Sequence, residues 1–97
     1  QPALNDGRQI RLNLPPLTEE RRHELVKVVH ARLEESRVAV RNVRRELHND
    51  MRDFEREKMI SEDDLKRGEE ELQKVTDKNV EEINKIGQHK EQEILEV

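Results

Sequence analysis

Residues 18–60 read TEERRHELVKVVHARLEESRVAVRNVRRELHNDMRDFEREKMI, and this stretch decides the fold. Apolar or small residues recur at Leu25, Val29, Leu33, Ser36, Val40, Val43, Leu47, Met51 and Phe54, always three or four apart. That spacing returns to one face of a helix at about 100° per residue, and neither Gly nor Pro interrupts it. Thr18 is a good N-cap, with Glu19 and Glu20 in the first turn, where carboxylates meet the positive end of the helix dipole. A helix is predicted from about residue 19 to about 58.

Downstream, Ser61 followed by Asp64 has the form of a capping box, and Glu62 and Asp63 add first-turn charge. A second helix is predicted over about 62–95, with a seam through Leu65, Leu72, Val75, Asn79, Ile83, Ile86, Lys90 and Ile94. Gly68 and Gly87 interrupt it, so it reads as the weaker of the two. The short link Lys58–Ile60 makes the pair an antiparallel hairpin. Val26, Val28, Val38, Ala39 and Val80 widen the apolar face beyond a two-stranded seam. A third helix is therefore wanted, supplied by self-association or by a portion of the protein preceding residue 1.

Upstream lie all three prolines, ending in Pro15-Pro16, a pair that cannot sit inside a helix. Between them Ile10, Leu12 and Leu14 alternate with Arg11 and Asn13, the period-two mark of a half-buried strand. No other strand candidate exists to pair with it, so residues 1–17 read as a connector carrying the last strand of a sheet. Residues 18–97 form the helical bundle domain. The fold class is mainly α: a long helical hairpin from an incomplete three-helix bundle, preceded by an extended segment.

Composition narrows the function. With 43% charged residues and 31% hydrophobic ones, 97 residues supply little core, and the absence of cysteine removes disulfides, thiolate metal sites and cysteine catalysis. No apolar run approaches the roughly 20 residues that span a bilayer, so a membrane partner is not expected. Glu34, Glu35, Glu46 and Asp50 sit in charge-rich helix rather than in an environment that would separate their pKa values for acid–base work. His23, His30, His48 and His89 lack metal-ligand spacing. Neither an enzyme nor a cofactor site is read here.

Charge is distributed unevenly: residues 1–61 carry 13 Lys and Arg against 11 acids, and residues 62–97 carry 6 against 12. Arg outnumbers Lys 11 to 2 in the first part and is outnumbered 1 to 5 in the second. Arginine's planar fork suits phosphate, which marks the first helix as the working one. Its informative constellation is Arg37, Arg41, Arg44 and Arg45, a line that His48 and Arg52 continue. Arg41 and Arg44 meet no acid at three- or four-residue spacing and repel each other at a cost of a few tenths of a kcal/mol. Such a stripe awaits an external polyanion. With no exposed aromatic platform for single strands, structured RNA fits best, and Asn42 adds a hydrogen-bonding group. The competing reading is a structural hairpin or coiled coil that uses its arginines only for solubility.

Three motifs in order, Leu14-Pro15-Pro16-Leu17-Thr18-Glu19-Glu20-Arg21-Arg22, Val38-Ala39-Val40-Arg41-Asn42-Val43-Arg44-Arg45 and Ile60-Ser61-Glu62-Asp63-Asp64, closely resemble the ribosome recycling factor family. The ending Lys90-Glu91-Gln92-Glu93-Ile94-Leu95-Glu96-Val97 is similar too. The resemblance implies a three-helix bundle with a small β-rich domain inserted after its first helix, of which this chain matches the tail of the insert and the last two helices. It also implies binding to large-subunit ribosomal RNA through the arginine-rich helix, and recycling of ribosomes after termination together with elongation factor G. Carried over by motif, Arg41 and Arg44 are the principal RNA contacts, with Arg37, Asn42 and Arg45 beside them. A cytoplasmic or organellar setting follows.

Overall fold

A computed structural model describes residues 17–96, so the strand expected at Ile10–Leu14 lies outside the described residues. Two helices, α1 (Glu19–Arg56) and α2 (Glu62–Glu96), pair antiparallel as a hairpin. At about 1.5 Å per residue the 38 residues of α1 span roughly 57 Å.

Both N-termini are capped as expected. The Thr18 hydroxyl accepts from the Arg21 N–H at 3.0 Å. At α2 the box closes reciprocally: the Asp64 N–H donates to Ser61 Oγ at 3.0 Å, and the Ser61 N–H donates to Asp64 Oδ2 at 3.2 Å. These bonds from Ser61 hold the Asp64 carboxyl below its ordinary value of 3.8, with help from the Arg67 guanidinium. A carboxylate whose folded-state pKa is depressed adds stability above its unfolded pKa and loses it as pH falls through the folded one. Melting curves of the wild type and of Asp64→Asn should therefore differ near neutrality and converge below about pH 4.

α1 ends two residues earlier than its periodicity suggests. Lys58 adopts φ 63°, its N–H donating to the Glu55 carbonyl at 2.9 Å while the Met59 N–H reaches the Phe54 carbonyl at 2.8 Å. This is a Schellman ending, which glycine normally serves because a Cβ is strained in the left-handed region. Lys58→Gly is expected to raise hairpin stability by about 1 kcal/mol, read as an upward shift of the melting midpoint.

The apolar stripe of α1 is wider than its contact with α2. Val26, Val29, Leu33, Val40 and Met51 are half-buried against Leu72, Thr76, Val80, Ile83, Gly87 and Ile94. Val28, Val43, Leu47 and Phe54 remain 45–53% exposed, and across the groove Val75 and Ile86 stand 50% and 61% exposed. An open apolar cleft of about 320 Å³, lined by Ala39, Val40, Val43, Leu47, Leu72 and Val75 among others, runs along this uncovered side. The hairpin thus uses one flank of its seam and leaves the other bare.

Gly68 and Gly87 do more than weaken α2. A Cβ built on Gly87 would lie 3.2 Å from Leu33 Cγ and far inside contact with its Cδ1, and one on Gly68 would lie 2.8 Å from Met51 Sδ. Each glycine admits a side chain of α1 into the face of α2, which brings the helices together at two levels.

Candidate nucleic-acid interface

The edge of the hairpin opposite the bare apolar side is laced with polar bonds. Arg22 donates to the Ile94 carbonyl at 2.5 Å, His30 Nε2 lies 3.0 Å from Glu91 Oε1, Arg37 donates to Asn84 Oδ1 at 2.6 Å, and His48 Nε2 lies 2.6 Å from Glu69 Oε2. These rungs place α2 beside the arginine-bearing flank of α1. His30 and His48 serve as cross-helix partners of carboxylates.

Arg37 accordingly stands apart from the other expected contacts. Its side chain is only 23% exposed and is held by Glu34 at 3.1 Å as well as by Asn84. Arg45 donates to Asn42 Oδ1 at 3.0 Å, and both residues are exposed, so this bond is readily exchanged for one to a ligand. Arg41 and Arg44 make no hydrogen bond or ion pair among the described residues. Arg41 is exposed, whereas Arg44 is half-buried with its stem over α2. Together they line a shallow cleft of about 250 Å³ with Gln73, Thr76, Asp77 and Val80. Asp77 nearby already accepts from Gln73 Nε2 at 2.9 Å.

The contrast with other arginines is chemical. Arg21, Arg32, Arg56 and Arg67 each pair with an acid three residues away on their own helix, at Glu24, Glu35, Asp53 and Asp64. Such exposed pairs contribute a few tenths of a kcal/mol each and occupy the guanidinium's fork. Two guanidinium groups left unoccupied, a turn apart on a stiff helix, can take phosphate oxygens bidentately without breaking an existing bond. Asn42 and Arg45 continue the exposed polar surface from this free pair along the outer face of α1.

The helical hairpin offers an open apolar groove along one side and unpaired arginines along the other, surfaces rather than an enclosed pocket. The chain matches the ribosome recycling factor family model over residues 1–95, and it belongs to that family, one of non-enzymatic translation factors. It is 57% identical over 93 residues to the ribosome-recycling factor of Roseiflexus castenholzii, 53% to that of Dehalococcoides mccartyi and 57% to that of Syntrophomonas wolfei. Each match covers 96% of this chain and 50% of the relative, so the chain spans about half the length of the curated relatives it matches.

Proposed function

We propose that this chain is the RNA-docking part of a cytoplasmic ribosome recycling factor, binding large-subunit ribosomal RNA through the outer face of α1. In the whole protein it works with elongation factor G after termination. The observation that carries this reading is the unoccupied pair Arg41 and Arg44, set among arginines that have partners. Arg45 and Asn42 supply secondary contacts. Arg37, tied to Glu34 and Asn84, positions α2 and contributes least to RNA directly.

Mechanically, α1 acts as a strut: phosphate contacts fix one side of it while a partner motor, which supplies the GTP hydrolysis, displaces the whole. Binding of the chain to isolated large ribosomal subunits should weaken steeply with salt, because each neutralised phosphate releases counterions and adds about 0.7–0.9 to the slope of log K against log salt. A flat slope, or no binding at low salt, would overturn the reading.

The bare apolar side makes a second, separable prediction. Along its α1 edge the groove is flanked by Glu35, Glu46 and Asp50, three or four residues from Ala39, Val43 and Leu47, with Arg44 lining its floor, so that edge is acidic on balance. Where two copies cover one another's grooves, these edges repel, and salt screens the repulsion. Self-association, measured as molar mass above the 11.6 kDa of one chain, should therefore rise with salt while RNA binding falls. The structural-hairpin alternative predicts only the first trend.

A further inference from the structure

We infer that the phosphate-binding row continues past Arg45 to Arg52, which becomes a third principal anchor; this deepens the RNA-docking reading and rests on it. Of the ten arginines between residues 17 and 96, seven are engaged: Arg21, Arg22, Arg32, Arg37, Arg45, Arg56 and Arg67. The three without a hydrogen bond or ion pair among the described residues are Arg41, Arg44 and Arg52.

Local sequence does not explain the freedom of Arg52. Glu55 lies three residues on, the spacing at which Arg21, Arg32, Arg56 and Arg67 find or meet their acids, yet Glu55 is half-buried and the two do not pair. Asp53, the nearest other acid, is taken by Arg56 at 3.0 Å. Eleven residues separate Arg41 from Arg52, three turns plus about 20°, so the two lie on one line roughly 16 Å apart along the axis. Between them on that line stand Arg45 and His48 and no carboxylate. His48 is held by Glu69, which also pins that acid away from the row. Across the hairpin, none of the α2 acids Glu62, Asp63, Glu69 and Glu70 pairs with Arg52 among the described residues. A row of this length reaches several successive phosphates of a folded RNA strand rather than a single one.

The test uses the 97-residue chain and isolated large ribosomal subunits, with binding measured across a salt series. Arg52→Ala should flatten the log–log slope by about one unit, Arg52→Lys should restore most of it, and Arg56→Ala should leave it unchanged. Far-UV circular dichroism of each variant confirms equal helix content, and Arg52→Lys keeps the comparison valid if the alanine variant loses helix. A slope unaltered by Arg52→Ala, with Arg41→Ala and Arg44→Ala each flattening it, overturns the extension alone. Salt-independent binding by the wild type overturns the docking reading and the extension together.

Discussion

Replacing Arg41 and Arg44 together with alanine is expected to cut affinity for large ribosomal subunits on the order of 100-fold at low salt. Each charge-assisted contact is worth about 1.5 kcal/mol or more, and about 1.4 kcal/mol is a factor of ten. The slope of log K against log salt should fall by about two units, one per lost phosphate contact. Stability should stay close to that of the wild type, the packing lost with the half-buried stem of Arg44 being offset by gains elsewhere. Neither guanidinium makes a bond within the hairpin, alanine is a better helix former than arginine, and the mutual repulsion of the pair disappears. A variant as stable as the wild type or slightly more so, yet defective in binding, is the signature of residues kept for a ligand. Arg21→Ala, which breaks only the exposed pair with Glu24, should leave the salt slope untouched. Equal slopes for the double variant and the wild type would remove Arg41 and Arg44 from the interface.

Gly87→Val is expected to lower stability sharply. A Cβ at that position collides with the end of Leu33, and two further methyl groups cannot be accommodated without parting the helices. Overpacking of this kind costs about 1–3 kcal/mol, and 1 kcal/mol shifts the midpoint of a domain this small by roughly 4–8 °C. A fall of about 10 °C or more is the expected reading. The cause can be isolated with a double-mutant cycle on Gly87→Ala and Leu33→Ala. Shortening Leu33 vacates the space that the new methyl needs, and alanine's helix propensity, about 1 kcal/mol better than glycine's, is then realised. The double variant should be less destabilised than the sum of the singles by about 1 kcal/mol or more. Strict additivity would show that Gly87 is not a point of close approach.

Features determined within a turn of the chain were legible from residues alone. Thr18 and Ser61 each find their capping partner three residues on, and both helices start where those residues stand. The freedom of Arg41 and Arg44 was legible for the same reason, since it follows from what lies three and four residues away. What depends on the opposite helix was not. Arg37 looks equivalent to Arg41 along α1, and only the arrival of Asn84 distinguishes them. Gly87 reads as a flaw in a helix until Leu33 is placed over it. The early end of α1 lacked a glycine to announce it, because Lys58 takes the left-handed conformation in its place. Arg52 follows the same line as Arg41, but its standing as a free cation needed the burial of Glu55 and the engagement of Asp53.

The polar rungs from Arg22 to His48 all cross on one edge of the hairpin, and the open apolar groove runs along the other. The molecule therefore has a front and a back. Apolar surface packs at the back without breaking a hydrogen bond, whereas at the front it would have to strip water from charged guanidinium groups. A body packed behind meets the stem of Arg44, which lines the groove as well as the cationic cleft, while the exposed Arg41, Arg45 and Arg52 keep their outlook.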